Sequence, residues 1–146
     1  MNLIPKNRVL FPTDFSELAS SVQKLTLQFV ENPSHLYVIH VLPPLSPLEP
    51  GIVWETLDDN TRKLNVEKTF RTKFTTPEYE RVNFDVLFGE PSKKIISYAE
   101  EKDIDLIVIP AHGHNGLKSF LLGSVTERVV RSARCPVYVW RSTENK

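Results

Sequence analysis

The chain has 146 residues, enough for one domain (1–146) that buries a core of its own without disulfide or metal support. Its 18 Lys and Arg balance 18 Asp and Glu, so there is no broad positive field to attract a nucleic-acid backbone. The single cysteine, Cys135, excludes an internal disulfide framework and fits a reducing compartment, while the lack of a membrane-length apolar run or an N-terminal apolar signal core makes cytoplasm the expected location.

Residues 8–12 (RVLFP) form a short apolar run bounded by charge and proline, and read as a buried strand. Thr13-Asp14-Phe15-Ser16 supplies capping residues for a helix whose apolar face is Leu18, Val22, Leu25 and Phe29. Asn32-Pro33 stops that helix. Residues 36–42 (LYVIHVL) are a second strand, apolar enough to be covered on both faces. A stiff loop with Pro43, Pro44, Pro47 and Pro50 follows. A charged helix is then expected over 53–74, with Trp54, Leu57, Leu64, Phe70 and Phe74 as a ragged apolar face.

Val82, Phe84, Val86 and Phe88 recur with a period of two, as in a strand. Gly89-Glu90-Pro91-Ser92 turns the chain into a helix with Ile95, Ile96 and Ala99 buried. Residues 105–110 (DLIVIP) are a fourth strand, 111–122 a loop, and Gly123-Ser124 opens a last helix. Val137–Trp140 (VYVW) is the fifth strand. Alternating strands and helices give an α/β domain with a mainly parallel sheet and helices on both faces. Ligands of such sheets sit beyond the carboxyl ends of the strands, where the strand order reverses.

The residues at those ends suit a nucleotide. Gly123-Ser124 offers helix N-terminal N–H groups and a hydroxyl to a phosphate, and Asp14 offers a carboxylate to a ribose hydroxyl. Each also has a plainer reading: Asp14 and Gly123-Ser124 as helix caps, Gly113 and Gly116 as turn residues. His112 and His114, with His40 or Asp14, lack the spacing that would force a metal site. Cys135, before a proline, reads as a small buried thiol. A dinucleotide-binding glycine fingerprint does not follow the first strand, and a phospho-receiver domain needs an aspartate ending strand three and a lysine ending strand five, where Phe88-Gly89 and Trp140-Arg141 stand.

The segments VLFPTDFSELA at 9–19, VIHV at 38–41, GEPSKKI at 89–95, and AHG followed after nine residues by GSVTERVVRSARCPVYVW resemble the universal stress protein family along essentially the whole chain. The resemblance implies a five-stranded parallel sheet of order 3-2-1-4-5, a Rossmann-like α/β fold shared with adenine nucleotide alpha hydrolases. It implies an ATP-binding regulator or sensor of stress responses, at most a slow ATPase, with Mg²⁺ or Mn²⁺ on the phosphates. Of the residues it assigns to the nucleotide, Pro12 and Thr13 lie beside Asp14, which would contact the ribose, and the backbone near Val41 would contact adenine. Pro110, His112, Gly113, Gly123, Ser124 and Val125 would surround the phosphates. The family's ATP-binding branch carries Gly-x-x-Gly, nine residues, then Gly-Ser, and its first glycine falls on Pro110. Proline has no N–H, so one donor is lost, and the alternative is a dimeric interaction module that binds no nucleotide. Family members dimerise through the last strand, which implies a homodimer through Val137–Trp140.

Overall fold

The computed structural model describes residues 3–44, 58–111 and 122–141. The expected loop prolines 47 and 50, the early part of the second helix, and His112, Gly113, His114 and Gly116 lie outside the described residues. The elements run β1 (Val9–Pro12), α1 (Glu17–Phe29), β2 (Leu36–Leu42), α2 (Asp59–Lys73), β3 (Asn83–Phe88), α3 (Pro91–Glu101), β4 (Leu106–Pro110), α4 (Ser124–Ser132) and β5 (Val137–Trp140). Single 3₁₀ turns at Pro33–His35 and Pro77–Glu80 lead into β2 and β3.

All five strands pair in parallel, in the order β3-β2-β1-β4-β5. The fold class expected from the sequence is therefore the observed one. Adjacent residues of each strand face opposite sides, and both sides are apolar. Val9, Phe11, Val38 and Val108 pack with Val22 of α1 and Phe70 of α2. Leu10, Ile39, Ile107 and Ile109 pack with Ile95 of α3 and Val129 of α4. Covering on both faces explains why β2 and β4 read as unbroken apolar runs. None of the described helices is long and apolar enough to cross a membrane.

Two helices differ from their sequence reading. The buried residues of α1 are Ala19, Ser20, Val22, Gln23 and Thr26, whereas Leu25 is 45% exposed. The face is rotated, and two of its buried polar side chains make hydrogen bonds inside. Thr26 Oγ1 donates to the Val22 carbonyl, and Gln23 Nε2 bonds the Tyr79 hydroxyl. The described helix runs from Asp59, where Asp58 accepts from Thr61 N–H at 2.7 Å and caps it, while residues 53–57 of the expected span lie outside the described residues. On it Phe70 is buried and Leu64 is 64% exposed. The stacked rings of Phe70 and of Phe84 on β3 (centroids 4.0 Å apart) anchor it where a continuous apolar stripe is missing.

Candidate functional site

The site begins with how far each pair of strands stays together. β1 keeps register with β2 from Val9↔Leu36 to Pro12↔Ile39, and β4 with β5 from Ile107↔Val137 to Pro110↔Trp140. Between β1 and β4 only Val9↔Leu106 and Leu10↔Ile107 are in register. The two central strands therefore part before they end, at the point where the strand order reverses.

Two prolines explain the parting. In a parallel ladder the N–H and C=O of one residue face one neighbour, and those of the next residue face the other. Thr13 N–H donates to Ile39 O at 2.8 Å, so Pro12 faces β4. Ala111 N–H donates to Trp140 O at 2.7 Å, so Pro110 faces β1. Each strand thus presents a residue without an N–H to the other, and the ladder cannot continue. The carbonyl of Pro110, turned toward the gap, is taken instead by the buried Thr126 hydroxyl at 2.8 Å. That bond ties the first turn of α4 to the end of β4. The same alternation turns the N–H and C=O of Val41 toward the β1 side, past the last registered pair, Pro12↔Ile39.

On the β1 side of the gap the chain makes a tight turn. Asp14 is exposed, and its Oδ1 accepts from Ser16 N–H at 2.9 Å. Ser16, not Asp14, caps α1, its Oγ accepting from Ala19 N–H at 3.1 Å. Asp14 therefore orders the turn and keeps its second carboxylate oxygen for other partners. Phe15 sits at φ 62°, the left-handed region that costs a bulky residue about 1–3 kcal/mol. Its N–H donates to Thr13 Oγ1 at 3.0 Å, its carbonyl accepts from Lys73 Nζ at 2.9 Å, and its ring lies 5.0 Å from that of His40. His40 Nδ1–H donates to the Thr13 carbonyl at 2.7 Å, so this nitrogen carries the proton.

On the β4 side, Gly123 is the N-cap of α4. Its N–H is spent on the Ala111 carbonyl at 2.8 Å. α1, α2 and α3 are each capped by a side chain: Ser16, Asp58 and Glu90. α4 has no side-chain cap, and its exposed first residue, Ser124, adds a hydroxyl beside the N-terminal N–H groups. Val125 is turned the other way, half-buried against the α3–α4 core. At the end of β2, Arg62 braces the outgoing chain. Its Nη2 donates to Pro43 O at 2.8 Å while its guanidinium lies 5.6 Å from the Phe88 ring centroid.

Of the residues singled out in the sequence, Pro12, Thr13, Asp14, Val41, Pro110, Gly123, Ser124 and Val125 all lie at this carboxyl edge. His112 and Gly113 lie outside the described residues. The N–H of Gly123 itself is engaged by the Ala111 carbonyl. Phe15, Lys73 and Arg62 were missed, and nothing in a linear sequence marks an aromatic residue for the left-handed region or a lysine 58 positions away as its holder.

Comparison with known proteins gives the same frame a lineage. The sequence model of the Universal stress protein family matches residues 6–141. The chain belongs to that family. Universal stress protein MJ0531 of Methanocaldococcus jannaschii is 32% identical, over 90% of this chain and 80% of the relative. Universal stress protein MJ0577 of the same organism is 31% identical, over 90% and 93%. The solved structure of MJ0577 superposes with a TM-score of 0.70 at 30% identity, covering 95% of this chain and 98% of that one. The universal stress protein UspA from Lactobacillus plantarum, 23% identical, shares the fold with a TM-score of 0.69. The resemblance carried by VLFPTDFSELA and GSVTERVVRSARCPVYVW thus holds for the universal stress protein frame as a whole.

Proposed function

We propose that this universal stress protein binds an adenine nucleotide, ATP with Mg²⁺ or Mn²⁺, in the gap between β1 and β4. It would act in the cytoplasm as a regulator or sensor of stress responses and not as an enzyme, with slow ATP hydrolysis at most. One observation carries the reading: the central strands part at two facing prolines, with the Asp14 carboxylate on one lip and the uncapped α4 N-terminus on the other. A helix N-terminus with free N–H groups favours a phosphate. The free oxygen of Asp14 suits a ribose hydroxyl, and the outward backbone of Val41 suits the edge of a base. A triphosphate brings a divalent ion for charge neutralisation. Pro110 supports binding in this reading, because it opens the gap rather than silencing a cradle.

The test is to denature purified protein, identify the released small molecules by chromatography, and titrate ATP with Mg²⁺ into the emptied protein. Saturable binding is expected, with Asp14→Ala weaker by roughly 10- to 100-fold, the value of a hydrogen bond to a charged group. No released nucleotide and no binding at millimolar ATP would refute the reading and leave the interaction module.

The same universal stress protein frame suits a homodimer through β5. β5 is an edge strand whose carbonyls 136 and 140 point to β4, so Val137 and Val139 turn their N–H and C=O outward. Beside it lies an apolar cleft of about 160 Å³ lined by Leu25, Phe29, Leu106, Tyr138 and Trp140. Sedimentation at micromolar concentration tests the dimer.

A further inference from the structure

We propose that Lys73 is a positioning residue for the nucleotide site: by holding the Phe15 carbonyl it locks the turn that aims the Asp14 carboxylate. The inference rests on the nucleotide reading above and adds a residue from outside the strand ends.

Asp14 itself is exposed, and its orientation is set by the backbone on either side. The carbonyl before it, that of Thr13, is held by His40 Nδ1–H at 2.7 Å from β2. The carbonyl after it, that of Phe15, is held by Lys73 Nζ at 2.9 Å from the last residue of α2. Between these braces, Phe15 at φ 62° swings the Ser16 N–H back to Asp14 Oδ1, 2.9 Å away. That closes an Asx turn, in which the carboxylate and the chain direction are fixed together. If Phe15 relaxed to negative φ, the Ser16 N–H would swing away, and Asp14 would regain its rotamers. A phenylalanine does not choose the left-handed region by itself, so the conformation persists because its surroundings over-determine it. Local help comes from Thr13 Oγ1 at 3.0 Å, and the ring packs 6.3 Å from Phe84. Of the holders of this residue, Lys73 alone brings a formal charge, and a charge-assisted bond to a carbonyl is among the stronger kinds.

This arrangement differs from a surface lysine that merely tidies a helix end. A helix-end role would be served by the chain's own last carbonyls, whereas this ammonium reaches a carbonyl 58 residues earlier, next to the carboxylate proposed for the ribose. The C-terminus of α2 thereby becomes part of the frame of the site.

The experiment compares Lys73→Met, Lys73→Ala and Lys73→Arg with the wild-type chain. ATP affinity is measured by calorimetry. Without nucleotide, the three-bond HN–Hα coupling of Phe15, which reports φ, and the hydrogen exchange of the Ser16 amide are measured by NMR. Lys73 is exposed, so the fold tolerates these changes, and thermal unfolding verifies it. Loss of one exposed, charge-assisted bond is expected to weaken ATP roughly three- to tenfold in the Met and Ala variants. Those variants should also shift the Phe15 coupling and speed Ser16 exchange, while Arg, which keeps a donor, restores all three. Unchanged Phe15 coupling and Ser16 exchange in Lys73→Met overturn the proposal, whatever the affinity does. Failure of Lys73→Arg to rescue overturns it too. If the wild-type chain does not bind ATP, the nucleotide reading falls, and with it the role in binding, while the NMR comparison still decides whether Lys73 sets the turn.

Discussion

Thr126→Val isolates the bond that seals the end of β4. The Thr126 hydroxyl donates to Pro110 O at 2.8 Å, and Thr126 is 4% exposed. Valine has nearly the same shape, so no cavity forms, but a buried carbonyl loses its donor. Leaving such a group unsatisfied costs about 1–3 kcal/mol. The added methyl returns up to about 0.8 kcal/mol of apolar burial. The expected net loss is about 1–2 kcal/mol. For a chain of this size each kcal/mol moves Tm by about 2–4 °C, so Tm should fall by about 2–8 °C. Scanning calorimetry and urea unfolding measure it directly. Thr126→Ser, which keeps the hydroxyl and loses a methyl, separates hydrogen bonding from packing and should cost about 1 kcal/mol. A valine variant with a Tm at or above that of the wild type would refute the reasoning. It would mean that the Pro110 carbonyl finds water or another donor in the gap and that α4 is not held there.

Three further outcomes follow from the geometry. Pro110→Ala should weaken ATP binding roughly 2- to 10-fold, measured by titration, because the restored N–H would face β1 and let the ladder run further into the gap. Tyr98→Phe should lower stability at neutral pH by about 1 kcal/mol, since it removes a 2.6 Å bond to Asp85 Oδ2. Burial, and then the bond to Asp85, push the Tyr98 hydroxyl far above its ordinary value of 10.0. The neutral hydroxyl is favoured in the folded chain. Its contribution is whole below pH 10 and is lost as pH rises beyond it, so urea midpoints should fall more steeply from pH 10 to 11.5 in the wild type than in Tyr98→Phe. Val139→Pro should abolish a dimer seen by sedimentation while leaving the β4–β5 ladder intact, because the N–H of Val139 points away from β4.

Much of the fold was legible because covered parallel strands leave unbroken apolar runs. β2 and β5 coincide with the segments read from the sequence, residues 36–42 and 137–140. Periodicity failed where burial is polar. α1 buries Gln23 and Thr26, each of which finds a partner inside, and a count of apolar residues cannot see a partner such as Tyr79, 56 positions away. α2 buries Phe70 without a continuous apolar stripe. At the site, Asp14 was legible as a carboxylate at a strand end, but not its division of labour with Ser16. The prolines were visible too, and Pro110 reads from the sequence as a lost donor. Only the register shows that Pro12 and Pro110 face each other across a ladder that neither can extend.

That shortened ladder also divides the molecule along its chain. β1, β2 and β3 with α1 and α2 come from residues 9–88, and β4, β5, α3 and α4 from residues 91–140. Within the sheet the two halves meet along a seam of two registered pairs, against four on either side of it. Amide protons flanking such a seam exchange through partial opening before the rest of the sheet yields. A molecule lodged across it would touch both halves at once and act as a suture. Its presence would be written in slower exchange at Leu10 and Leu106 together, whose N–H groups face across the seam.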